Sequence, residues 1–227
     1  RPFTFDYSFY SHDGFVTDKD GINGPKDAHS IYADHIPLVE YRSAPIEFCE
    51  VAAMSMELLT HDFLDEFYTP EDANRAVREH LEGIVSILAW IATIDAFQHW
   101  IYTHPGHSKE ERQDQWLKLG ERFGSILDWS GFEDWRKVGW QRQLHLFSYP
   151  FYYIEYGIAQ LGALQLWLQC QEEPKKALEN YAKSMRLGGS RPLPQLFEAG
   201  QMSFDLGNST VQGLIDAVRN ELDELPA

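Results

Sequence analysis

Residues 44–60, APIEFCEVAAMSMELLT, decide how the rest of the chain is read. The run has the length and spacing of a helix, and it places an acid among packing residues. Glu50 shares a helical stripe with Ile46, Cys49, Ala53, Met54 and Glu57. An ionised carboxylate in such surroundings loses several kcal/mol, by rough reckoning, unless a metal, a cation or a hydrogen-bond network compensates it. Two readings of this face stand side by side: a functional carboxylate pair, or a helix whose acids pair with neighbouring side chains.

Composition bounds the rest. The 227 residues, 44% apolar and 14% aromatic, can bury a substantial core. Nineteen Lys and Arg against 35 Asp and Glu give a net charge of -16, which argues against nucleic acid or an anionic membrane as partner and leaves peptide-like or cationic partners open. The two cysteines, Cys49 and Cys170, lie in apolar helical patterns and read as buried free thiols of a reducing compartment. No basic and apolar leader opens the sequence. The apolar run 83–97 contains Asp95 and is shorter than a bilayer requires, so it reads as a core helix. A soluble, cytoplasmic protein is expected.

Outward from the opening stretch the pattern is helical, and the expected class is all-α: a single domain, with a segment 1–30 of extended and loop character before a helical part 31–227. Alternating aromatics from Phe3 to Tyr10 suit a short β ribbon. Asp18, Asp20 and Asn23 lack the spacing of a calcium loop and read as a solvated turn. Thr69-Pro70-Glu71-Asp72 starts a helix running to about Tyr102. Ser108 with Glu111 forms a capping box for a helix carrying Trp116, Leu119, Phe123 and Ile126 along one side. A short helix is expected near 132–138 and a long one from about Pro150 to Gln171. Pro174 opens another that ends at a left-handed cap, Gly188-Gly189, and Asn208-Ser209 cap the last, with Val211, Leu214, Ile215 and Val218 inward.

Two further places carry chemistry. Residues 145–156, HLFSYPFYYIEY, set a histidine before four tyrosines and an acid, with Pro150 between His145, which ends one element, and Tyr152, Tyr153 and Tyr156, which begin the next. Their O–H and N–H groups suit an oxyanion, or belong to an aromatic core whose hydroxyls reach solvent. Residues 29–35, HSIYADH, place His29 and His35 ahead of Glu40, types that also bind metals.

These stretches together carry a resemblance. Residues 44–59, preceded by LVEYRS and followed by HLFSYPFYYIEYGIAQLGALQLW at 145–167, resemble the oligoendopeptidase F and thimet oligopeptidase family of zinc metallopeptidases, from about Ala28 to the C-terminus. The resemblance implies that Glu50 matches the third zinc ligand. It also implies that His145 and tyrosines among Tyr149, Tyr152, Tyr153 and Tyr156 match the donors that bind substrate and stabilise the tetrahedral intermediate, without saying which tyrosine does which.

The family pattern is broken at its centre. Such peptidases use H-E-x-x-H, two histidines one turn apart with a glutamate as base, and this sequence has none. Aligning from His29 puts Ile22, Asn23 and Lys26 at those three positions, with Gly24 kept and Pro25 beside it. None of the three can do the work, and proline disfavours the helix. The family's large N-terminal portion also has no counterpart in the sequence. Two expectations follow: a catalytically inactive helical part that keeps half of a peptide-binding cleft, or a component of an active zinc endopeptidase whose zinc-binding helix comes from a second chain or segment. A divalent ion on Glu50, His29 or His12 alone is a third.

Overall fold

The computed structural model describes residues 32–124 and 127–226. Among them are nine α-helices and no strand: α1 Ile46–Leu59, α2 Pro70–Thr103, α3 Lys109–Phe123, α4 Glu133–Lys137, α5 His145–Ser148, α6 Tyr153–Glu172, α7 Pro174–Met185, α8 Leu193–Ala199 and α9 Asn208–Glu224. Short 3-10 turns at Val39–Tyr41, His61–Glu66 and Gly139–Arg142 join them. The all-α expectation holds. The proposed ribbon at Phe3–Tyr10, the Asp18/Asp20/Asn23 turn, His12 and His29 lie outside the described residues, as does Ile126.

Local chemistry sets most helix ends. The Asp72 N–H donates to Thr69 Oγ1 at 3.3 Å ahead of Pro70, and the Ser108–Glu111 capping box is complete in both directions at 2.8 and 3.1 Å. Gly188 is left-handed, with φ +51°, and Gly189 N–H donates to Tyr41 O at 2.8 Å, tying the end of α7 to the turn before α1. At α9 the expectation is corrected: Gly207 is the cap, and Asp205, not Asn208 or Ser209, accepts from its N–H and from Thr210 Oγ1.

Helix α6 is the centre of the molecule. It is apolar nearly all round, the mark of a helix covered on every side, and each of the three core clusters draws on it. Ala159 and Leu166 meet Phe48 and Val51 of α1, Tyr181 of α7 and Phe197 of α8. Leu161, Leu164 and Trp167 meet Leu81 and Ile84 of α2 and Leu214 and Val218 of α9. At its first turn Tyr153 joins Ile91 and Phe97 of α2, Trp116 of α3 and Trp140.

Neighbouring helices approach α6 closely at Gly162. A Cβ there would lie 2.8 Å from Val51 Cγ2 and 3.0 Å from the Phe197 ring, so α1 and α8 pack directly onto the α6 backbone. The contact between α1 and α6 is the most extensive in the fold. It also corrects the reading of α1: its buried face is Phe48, Val51, Ala52, Ser55 and Leu58, and Glu50, Cys49, Met54 and Glu57 are half-buried along its flank. Cys49 and Cys170 are likewise half-buried, and neither forms a disulfide.

Helix α2, 34 residues long, is long and apolar enough to cross a bilayer, which the run 83–97 alone is not. Here it packs against α3, α6 and α9, and its Asp95 lies 3.5 Å from His99.

The turn His61–Glu66 is fastened to α2 by two histidines. His61 Nε2 and His80 Nδ1 are 2.7 Å apart with the rings edge to face, and His80 Nε2 lies 3.5 Å from Glu57 Oε2. Burial, then the neighbouring His80, lower the His61 pKa from 6.5 to about 4. Between these values the unfolded chain binds the extra proton, so stability falls as pH drops from about 6.5 towards about 4, by about 2 kcal/mol after allowing for solvent screening.

Two outcomes are expected. Gly162→Ala costs about 1–3 kcal/mol in urea unfolding through overpacking, and an unchanged midpoint would contradict the close approach. His61→Gln flattens the acid limb of the stability–pH curve between about pH 6.5 and about 4. A limb as steep as that of the parent chain would place the sensitivity elsewhere.

Candidate functional site

The packing of α1 on α6 determines which side chains meet. It sets Glu47 and Glu50, one turn apart on α1, against the first turn of α6, where Tyr152, Glu155 and Tyr156 also lie one turn apart. Glu50 is close enough to raise the pKa values of Glu155, Tyr152 and Tyr156. Glu155 responds most among the acids. Its Oε2 is buried with no hydrogen-bond partner among the described residues, and burial, then Glu47 and Glu50, raise its pKa from 4.5 to about 7.

His145 reaches the same place by a sharp reversal. It begins α5 rather than ending an element, which corrects the expectation for this segment. The chain turns back through Pro150 and Phe151, and Phe151 adopts φ +62°, a strained value for an aromatic residue. The Phe151 ring is held against His99 and Tyr102 of α2, with centroids 5.0 and 4.9 Å away. The reversal lays the His145 ring flat on Tyr152, at 5.6 Å and 17°, and edge-on to Tyr153 and Tyr156, at 5.2 and 6.0 Å. Tyr149 stands farther out, at 6.4 Å, and is exposed.

The five residues of this cage differ in what they can do. Burial lowers the His145 pKa, so its imidazole is neutral near pH 7 and presents one N–H donor. Burial is also the first cause of the upward shifts of Tyr152, Tyr153 and Tyr156, which keep their protons. The Tyr152 and Tyr156 hydroxyls share a hydrogen bond. Tyr153 is only 9% exposed and accepts the Trp90 Nε1–H at 3.0 Å.

The structure therefore brings Glu50, His145, Tyr152 and Tyr156 to one region and separates Glu57, which is occupied by His80 two turns along α1. His35 is exposed, its Nδ1 against Tyr32 O at 3.1 Å, and Glu40 is exposed as well. Glu155 and Glu47 were given no role by sequence reading. Their signal was an acid three residues after Tyr152 and another three before Glu50, which becomes meaningful only once α1 and α6 are paired.

Comparison with known proteins places this geometry. The profile of Peptidase family M3 matches residues 27–208. The chain belongs to that family. An X-ray structure of an oligoendopeptidase F is 30% identical with TM-score 0.74, over 86% of this chain and 35% of that one. PZ peptidase A with an inhibitor is 31% identical with TM-score 0.77 over the same shares, 86% and 35%. An oligoendopeptidase F from Bacillus anthracis str. Ames is 26% identical with TM-score 0.68, over 86% and 32%. The chain thus spans about a third of the length of these M3 structures, 32–35%. No curated protein sequence matches.

Family M3 is zinc-dependent. Around Glu50 stand carboxylates and phenols, whereas catalytic zinc takes histidine or cysteine among its ligands. No group of three or more His, Cys, Asp or Glu among the described residues could hold a metal ion. These residues do not by themselves fit zinc.

Glu155 yields a pH-dependent prediction. Its folded-state pKa lies above the unfolded value of 4.5, so the stability that its proton supplies below that value is lost as pH rises through about 7. In chelator-treated protein, Glu155→Gln leaves the melting temperature nearly unchanged near pH 4.5 and raises it near pH 8. A fall near pH 8 would mean that the carboxylate is compensated.

Proposed function

We propose that this chain is a helical M3 oligopeptidase part that binds peptide through the His145–Tyr152–Tyr156 cage and does not hydrolyse it alone. The observation that carries the reading is the pairing of the His145–tyrosine cage with a sequence that has no H-E-x-x-H. A neutral imidazole and two protonated phenols offer directed donors to a peptide carbonyl. Glu50 stands where the family resemblance puts its third zinc ligand, no group of three or more His, Cys, Asp or Glu among the described residues could hold a metal ion, and Ile22 and Lys26 occupy the aligned histidine positions in the sequence. Asn23, aligned with the catalytic glutamate, cannot serve as a base.

A second reading has its own support. The chain matches about a third of the M3 structures, 35% of PZ peptidase A, and Glu155 keeps a buried, unpartnered carboxylate oxygen beside Glu50. A zinc-binding helix supplied by another chain or segment would complete such a half-site and make the assembly a zinc endopeptidase.

Metal analysis and a quenched-fluorescent peptide assay, with and without added zinc, separate the two. The first reading predicts well under one zinc per chain, no cleavage, and peptide binding that weakens about three- to tenfold in Tyr152→Phe through loss of one hydrogen bond. Stoichiometric zinc with chelator-sensitive cleavage would overturn it. Co-purification with a chain carrying H-E-x-x-H, with cleavage only in the complex, would establish the second.

A further inference from the structure

We infer that Tyr153 is not a peptide donor and that Trp90 acts through it as a positioning residue for His145. The inference rests on the reading of the cage as a peptide site and divides its tyrosines into two kinds.

Helical geometry makes the first division. Tyr152 and Tyr156 are four residues apart and share a face of α6 with their hydroxyls joined, whereas Tyr153 is turned by about 100° towards α2. Accessibility follows the same line: Tyr149 is 54% exposed, Tyr152 and Tyr156 are half-buried, and Tyr153 is 9% exposed. The Tyr153 oxygen is already engaged by Trp90 Nε1–H at 3.0 Å, on the α2 side. A peptide that reaches Tyr152 and Tyr156 would have to displace the aromatic core between α2 and α6 to reach Tyr153.

What Tyr153 does is hold a wall. Its ring stands edge-on to His145 at 5.2 Å and 81°, beside the flat stack with Tyr152, so the position of the imidazole depends on where the Tyr153 ring is fixed. The indole of Trp90 fixes it. Trp90 is itself set edge-on against Trp116 at 5.7 Å and 86°. Trp116 is anchored by its own Nε1–H to Arg136 O at 2.9 Å and by Phe97 at 5.1 Å. A continuous series of oriented rings thus runs from the α3–α4 end of the core through α2 to the histidine. Each ring in it has a directional partner, which distinguishes the series from general packing.

The test is a double-mutant cycle of Trp90→Phe, Tyr153→Phe and the pair, read in two ways on the full chain. The first reading is the ring 1H–13C resonance of His145, assigned by its loss in His145→Gln and sensitive to ring currents from Tyr152 and Tyr153. The second is affinity for a fluorescent peptide. The inference predicts that each single change moves the His145 resonance in the same direction and lowers affinity by the same three- to tenfold, about one hydrogen bond, and that the double change adds nothing. Additive losses, with Tyr153→Phe the costlier in affinity, would make Tyr153 a direct donor and overturn the inference. An unmoved His145 resonance in both single variants would overturn the positioning role.

If the parent chain binds no peptide, the proposed function fails while the resonance cycle still decides the role of Trp90. Should Trp90→Phe not fold, hydrogen exchange of the Trp90 indole N–H decides it in Tyr153→Phe. At least tenfold faster exchange with a displaced His145 signal supports the inference, and unchanged exchange overturns it.

Discussion

Helix α1 can lie on α6 at this distance because Gly162 has no side chain. A Cβ at that position would meet Val51 and the Phe197 ring at 2.8 and 3.0 Å. The glycine therefore determines both the separation and the register of the two helices, and with them the neighbours of Glu50. Closely packed interiors do not absorb such a change smoothly, because the surrounding side chains already occupy the available volume. A shift of α1 by one turn would move Glu50 away from Glu155 and Tyr156. The site is in this sense a consequence of a core contact further along α6 than its tyrosines.

Electrostatics then gives the region its character. Three carboxylates, Glu47, Glu50 and Glu155, converge where burial already disfavours charge, and the response falls on Glu155, whose pKa reaches about 7. A family fold that elsewhere surrounds a divalent ion would offset that repulsion with the ion itself. Here two of the aligned ligand positions carry Ile22 and Lys26. The structure brings these acids and the His145–tyrosine cage together, and the sequence has no H-E-x-x-H. Stacking, the Phe151 reversal and the Trp90 hydrogen bond hold the cage from the α2 side.

Much of this fold can be read locally. Thr69-Pro70, the Ser108–Glu111 box and the left-handed Gly188 each announce a helix boundary by chemistry confined to a few residues, and the structure has them where expected. The last helix shows the limit of such reading, since Gly207, with its N–H held by Asp205, is the cap in place of Asn208 or Ser209. The flank of α1 shows another. Spacing alone made Glu50 and Glu57 a pair, but seven residues span two turns, so α6 claims one and His80 the other. Glu155, the His61–His80 contact and the positive φ of Phe151 arise from tertiary packing and carry no local pattern. The resemblance supplied Glu50 and the His145 cage together; which tyrosine is turned away needed the orientation of α6 against α2.

The central claim is that the α1–α6 register sets Glu50 against a buried acid within a donor cage. It is tested most directly by an NMR titration of the Glu155 side-chain carboxyl, in chelator, in the parent chain and in Glu50→Gln. The structure predicts a midpoint of about 7 in the parent chain and a lower one in Glu50→Gln that stays above 4.5, because burial and Glu47 still act on Glu155. A Glu155 midpoint near the unfolded value of 4.5 in both proteins would contradict the arrangement described here.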